Sequence, residues 1–114
     1  MQEITGNLLK PIIFKTPEGL EYYDYSDIIM CVADGNCTLV FAMERNSPVR
    51  VLCNLTNIEK KYCNNILYRC HKSFIINLMH VEKLIIKTHQ VQLKKKLLAS
   101  LSEQSLRYLK QISV

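Results

Sequence analysis

The sequence predicts a mainly β domain of at least seven short strands with two modest helices. Three observations carry that expectation. A continuous apolar run of strand length, Ile28-Ile29-Met30-Cys31-Val32-Ala33, leads into Asp34-Gly35-Asn36, a strong hairpin signal. Further on, Val91 and Leu93 alternate with Gln90, Gln92 and Lys94, the period of a half-buried strand. Helical patterning is confined to two short stretches, each opened by Ser/Thr-x-x-Glu, the capping-box spacing. No helix-turn-helix pattern stands out.

In chain order, residues 1–10 read as a short, weakly ordered lead-in. Pro11-Ile12-Ile13-Phe14-Lys15 is the first expected strand, with proline at the tolerated first position. Thr16-Pro17-Glu18-Gly19 is a turn, and residues 20–25 are β-prone and aromatic. The hairpin strands follow at 28–33 and 37–43. Glu44-Arg45-Asn46-Ser47-Pro48 turns the chain into Val49-Arg50-Val51-Leu52-Cys53, with Arg50 facing water. Thr56 as N-cap and Glu59 at the third helical position predict a helix from 57 to about 63, ended by Asn64-Asn65.

The stretch from Leu67 to Leu78 organises the rest. A strand ending in Tyr68-Arg69-Cys70 holds the polar tetrad Arg69, His71, Lys72 and Ser73 at the edge of the protein. Phe74, Ile75, Ile76 and Leu78 anchor the return. Apolar flanks around an exposed cationic loop suit a surface that grips phosphate or reads base edges, though a plain strand-turn-strand with a solvated tip has the same spacing. Strands at 81–87 and 90–94 follow, joined by a turn near Thr88-His89. After the basic knot Lys94-Lys95-Lys96 comes an expected last helix over 100–114, opened by Ser100-Leu101-Ser102-Glu103. It places Leu106, Leu109 and Ile112 on one face.

A chain of 114 residues is expected to be one domain with its own core, needing neither metal nor disulfide. No apolar run reaches the ~18 residues of a membrane span, and Met1-Gln2-Glu3-Ile4-Thr5-Gly6 has neither the charge nor the apolar stretch of a signal peptide. The five cysteines are odd in number and contain no Cys-x-x-Cys, so free thiols and a reducing cytoplasm are expected. The triplets Asn36-Cys37-Thr38 and Asn54-Leu55-Thr56 then carry no glycan.

Charge is uneven. Residues 1–57 hold four Lys/Arg against seven Asp/Glu, a balance of −3, while residues 58–114 hold eleven against three, a balance of +8. All three histidines lie in that second half. The asymmetry points to a polyanionic partner. Catalytic alternatives are thin. Cys70 and His71 are adjacent, and neighbours on a strand face opposite ways, so they make a poor nucleophile–base pair. Cys63, Cys70, His71, His80 and His89 lack paired zinc spacing, and no phosphate-cradling glycine loop exists. We expect no enzyme, no metal and no cofactor. Nucleic-acid binding survives best: Arg69, Lys72, Lys94, Lys95 and Lys96 could neutralise phosphates, and Asn36, Thr38, His71 and Gln104 could read base edges.

Arg69-Cys70-His71-Lys72-Ser73-Phe74-Ile75-Ile76-Asn77-Leu78, followed by Val81-Glu82-Lys83-Leu84, resembles the hallmark of the LytTR DNA-binding domain. Asp34-Gly35-Asn36-Cys37-Thr38 resembles that family's first loop, residues 52–62 its short helix and Leu101-Ser102 its last loop, so the likeness covers about 10–112. The resemblance implies an elongated fold of about ten short strands that binds double-stranded DNA by three loops, as output domains of bacterial response regulators do. The outer loops would enter successive major grooves and the central one the minor groove. Carried across, the loops are Asn36 to Thr38, His71-Lys72-Ser73, and one beginning near Ser102, or at Ser100 in a register two residues earlier. Cys37 stands where the family usually has an aromatic, and Glu103 and Gln104 where it usually has arginine after the serine. The resemblance also implies paired DNA repeats, hence two copies per site, while the free protein is expected to be monomeric because no long apolar stripe is left for a dimer seam. Family members usually carry a receiver or membrane sensor before this domain, and neither fits in the few residues before Pro11, so a stand-alone domain open to a separate regulatory protein is expected. The competing reading is a protein-interaction module that keeps the fold without reading DNA.

Overall fold

The computed structural model describes residues 10–112. The expected lead-in, Lys10 apart, and the last two positions of the expected C-terminal helix lie outside the described residues. Ten strands and two helices are present among them. They are β1 (Ile12–Thr16), β2 (Gly19–Tyr23), β3 (Ile28–Asp34), β4 (Cys37–Ala42), β5 (Val49–Val51), α1 (Leu55–Tyr62), β6 (Leu67–His71), β7 (Phe74–Asn77), β8 (Val81–Ile85), β9 (Gln90–Leu93), β10 (Leu98–Ser100) and α2 (Glu103–Gln111).

A central antiparallel sheet runs in the order β5-β4-β3-β7-β6. Its β3 is buried on both faces, which is why Ile28 to Ala33 reads as an unbroken apolar run rather than an alternation. On one side, Ile28, Cys31, Val40 and Ile75 pack with Ile12 and Phe14 of the β1–β2 ribbon and with Leu55, Ile58 and Tyr62 of α1. On the other, Ile29, Met30, Cys70 and Ile76 pack with Val91, Leu93 and Ala99 of the small β10-β9-β8 sheet and with Leu106 and Leu109 of α2. The result is three layers, measuring 41 × 37 × 25 Å. No helix among the described residues is long and apolar enough to cross a membrane.

Both helix starts differ from expectation by two residues. Asn54, not Thr56, caps α1, its side-chain oxygen accepting the Asn57 N–H at 2.8 Å. Starting there brings Leu55 as well as Ile58 and Tyr62 onto the buried face. Ser102, not Ser100, caps α2, accepting the Ser105 N–H. Ser100 is unavailable because its backbone pairs with Gln90 in β10, a strand the sequence reading did not resolve. The expected shared face of α2 buries Leu106 and Leu109 but leaves Ile112 exposed.

Two buried polar residues join the layers. Asn77, fully buried, donates from Nδ2 to the Tyr25 and Ile28 carbonyls, each at 2.8 Å, and accepts the Met79 N–H. His80 lies beside the Ser26 carbonyl, with Nε2 at 2.7 Å. A ring nitrogen facing a carbonyl must carry the proton, so His80 works inside the fold and not at a polyanion.

Candidate nucleic-acid interface

Hydrogen bonding brings the three expected loops to one edge. The β3–β4 and β6–β7 hairpins turn at the same end of the central sheet, because β3 pairs with both β4 and β7, Asp34 opposite Cys37 and Val32 opposite Phe74. The Ala33 N–H donates to the Ser73 carbonyl at 2.9 Å, joining the first hairpin to the second. The Ser102 N–H donates to the Cys70 carbonyl at 2.9 Å, joining the start of α2 to the second hairpin. His71, Lys72, Ser102 and Gln104 consequently line one cleft of about 340 Å³, floored by Tyr68 and Arg69.

In the first loop Gly35 takes φ +62, where a Cβ would be strained, and Asn36 is left exposed at the tip. Asp34 would repel phosphate beside that tip, but Arg50 pairs with it at 2.7 Å. Thr38, expected to read a base, is fully buried. Its hydroxyl donates to the Cys53 carbonyl at 2.8 Å, so it braces β4 from inside and offers nothing to a duplex.

In the second loop Arg69 does different work from that expected. Its Nε donates to the His71 carbonyl at 2.8 Å, one terminal nitrogen to the Lys72 carbonyl, and the other to Glu59 of α1 at 2.7 Å. The guanidinium fork therefore holds the loop backbone and ties it to α1. Register slips between Arg69 and His71, a bulge that turns Cys70 inward and His71 toward the cleft. The Ser73 N–H donates to His71 Nδ1 at 3.0 Å. The neutral ring then carries its proton on Nε2, leaving a donor for an outside acceptor. Lys72 is exposed, and Ser73 is half-buried with its carbonyl engaged by Ala33.

At the third loop the Ser102 hydroxyl is engaged with Ser105, which Tyr68 also reaches from the cleft floor. Gln104, exposed in the first turn of α2, lines the same cleft as His71 and Lys72. Glu103 stands beside it at the helix N-terminus, where the helix dipole favours a carboxylate.

The lysine knot is not part of this edge. Lys95 donates from Nζ to the Ala42 and Arg45 carbonyls, at 2.9 and 2.8 Å, and Ala42 ends β4 at the opposite end of the sheet from Asn36. Lys94 pairs with Glu82 at 3.5 Å, and Lys96 is exposed at that same far end. Lys95 and Lys96 take φ near +60, a tight turn between β9 and β10 that a charge run does not announce.

Three of the five thiols are held protonated by burial. Burial pushes the Cys31 and Cys70 thiols up to about 12 and Cys63 up to about 11. Cys70 Sγ lies 3.4 Å from the Ser100 carbonyl, and the His71 nitrogen that could serve as a base is turned to Ser73. Among the described residues, no three His, Cys, Asp or Glu side chains gather as a metal site needs.

Sequence reasoning gave Glu59 only a capping place and missed its pairing with Arg69. The available signal was scarcity: residues 58–114 contain three acids, Glu59, Glu82 and Glu103, and each has a structural position. Arg69→Lys tests the brace. Lysine keeps the charge but loses the fork. We expect about a tenfold loss of duplex affinity, roughly 1.4 kcal/mol, with the salt dependence unchanged. A salt slope shallower by about one would instead put Arg69 on a phosphate.

The described residues thus form a β scaffold that carries two hairpin turns and a capped helix start at one edge. The chain belongs to the LytTR family: the family model described as the LytTr DNA-binding domain matches residues 18–113. Among solved structures it is similar to the LytTr DNA-binding domain of a putative methyl-accepting/DNA response regulator from Bacillus cereus. That match has 22% identity, covers 90% of this chain and 95% of that one, and has a TM-score of 0.73. No curated protein matched. DNA binding in transcription regulation is thus the function of this domain, and the family is not one of enzymes.

Proposed function

We propose that the domain reads a specific duplex sequence through the edge formed by Asn36, His71-Lys72 and Gln104. The observation that carries this reading is the pair of backbone bonds, Ala33 to Ser73 and Ser102 to Cys70, which put three separate chain segments in one row. Asn36 and Gln104 have the paired donor and acceptor that suit adenine, and His71 Nε2–H is a donor for an N7 or carbonyl acceptor. Lys72 supplies a phosphate contact, and Arg69, Ser73 and Ser102 hold the loops in place. Two copies on paired repeats make up the working complex, because one body 41 Å long spans little more than one duplex turn of about 34–36 Å.

Selection from a random duplex pool tests the reading. An enriched motif whose affinity falls as salt rises supports it, and no motif favours the interaction-module reading. Glu103, which stands where the family usually has arginine, sits where the helix dipole favours a carboxylate. Two variants then separate the roles. Lys72→Ala should weaken all duplexes alike and flatten the salt slope by about one, whereas Asn36→Ala should relax preference at one or two positions, at a cost of about 1–3 kcal/mol on the preferred sequence. Identical effects from both would show that the roles are wrongly divided.

A further inference from the structure

We propose that the β8–β9 tip, carrying Lys87 and His89, is a fourth contact that grips duplex phosphates beyond the third loop. The inference rests on the reading that the loop edge faces DNA, and it adds a segment that lies outside the three loops. Its placement follows from two consecutive peptide groups. Along the extended chain entering α2, the Leu101 N–H donates to the His89 carbonyl at 2.8 Å, and the next N–H, of Ser102, donates to the Cys70 carbonyl. Successive N–H groups of an extended chain point to opposite sides. The third loop is therefore flanked by the second hairpin on one side and the β8–β9 tip on the other, which continues the row by one more position.

The tip is built to hold its shape. The His89 N–H closes a turn onto the Ile86 carbonyl at 3.2 Å, His89 takes φ +54, and the Thr88 hydroxyl donates to Gln90 Oε1 at 2.8 Å. Lys87, Thr88 and His89 are all exposed. Residues 83–102 contain no aspartate or glutamate. Glu82, the nearest acid in sequence, is occupied by Lys94 at the other end of the hairpin, since Val81 pairs with Leu93 and Ile85 with Gln90. Lys87 forms no ion pair among the described residues. A cation and an imidazole exposed on a braced turn, the lysine without an ion pair among the described residues, suit the sugar–phosphate backbone. The Thr88 hydroxyl is committed to Gln90, which leaves Lys87 and His89 as the outward-facing donors of the tip.

The experiment compares wild-type protein with Lys87→Ala on a selected duplex and a scrambled one across a salt series. Lys87 is exposed, so melting should not change. We expect both duplexes to bind about three- to tenfold more weakly, with the salt slope shallower by about one and the selected motif unchanged. Phosphate-ethylation interference should lose its signal at the outer flank of the third loop's contacts. If the motif is enriched but Lys87→Ala leaves affinity, slope and interference as in wild type, the fourth contact is overturned and sequence reading stands. If no motif is enriched but Lys87→Ala still flattens the slope, the contact stands and specific reading falls.

Discussion

Replacing Asn77 by alanine should destabilise the domain by about 3–5 kcal/mol, the largest stability effect of any single polar substitution considered for this chain. The side chain is fully buried and makes three hydrogen bonds. Truncation orphans the Tyr25 and Ile28 carbonyls and the Met79 N–H together, each costing roughly 1–3 kcal/mol where water cannot reach. The Met79 and Tyr25 ends are only partly buried, so the total falls toward the lower part of that range. For a domain of this size the midpoint should drop by at least about 12 °C. Asn77→Asp should be no better, since a carboxylate cannot donate to two carbonyls. Urea denaturation at unchanged m-value measures both. A loss under about 1 kcal/mol would mean that water replaces the amide and that Asn77 does not hold β7 to the turn before β3.

The same residue shows where the sequence was legible and where it was not. Asn77 stands out within the resemblance to the family, yet no rule of spacing says which carbonyls it satisfies, because Tyr25 and Ile28 are about fifty residues away in sequence. Local signals did well where local physics decides. The Asp34-Gly35-Asn36 turn, the alternation around Val91 and the apolar run of β3 each became the expected strand or hairpin. They failed where a non-local bond decides. Thr38 looked like a base reader on a tip, but β4 turns it inward to Cys53. The lysine run looked like a phosphate clamp until Lys95 was found bonded to Ala42 and Arg45, more than forty residues earlier in the chain. Arg69 looked like a phosphate ligand, and Glu59 makes it a brace. In each case the side chain's partner within the protein lies far away in sequence or across a turn, where spacing does not reach.

Those corrections shift the electrostatics of the edge. Arg69 is paired with Glu59 and Lys95 with two carbonyls, which leaves Lys72 as the exposed cation at the centre of the edge. The net charge of +5 is not gathered in the cleft. A single copy with few phosphate contacts gains little from counterion release, since the salt slope scales as about 0.9 per phosphate neutralised. Weak single-copy binding makes the second copy matter. Two copies on one face of the duplex should be spaced by about 10–10.5 bp or a multiple of it.

Inserting about 5 bp between paired repeats should therefore lower joint occupancy by about 5–150-fold, the range of a coupling free energy of 1–3 kcal/mol. The insertion turns the second copy through half a helical turn and places it on the opposite side of the DNA. Each repeat keeps its bases and its phosphates, so the affinity of one copy for one repeat should not change. Inserting a full turn, about 10 bp, restores the shared face and should recover part of the loss. Gel shifts on the three duplexes, read as the ratio of doubly to singly bound DNA, separate coupling from intrinsic affinity. An unchanged ratio after the half-turn insertion would show that the copies bind independently, and a loss that the full turn does not repair would point to distance rather than helical face.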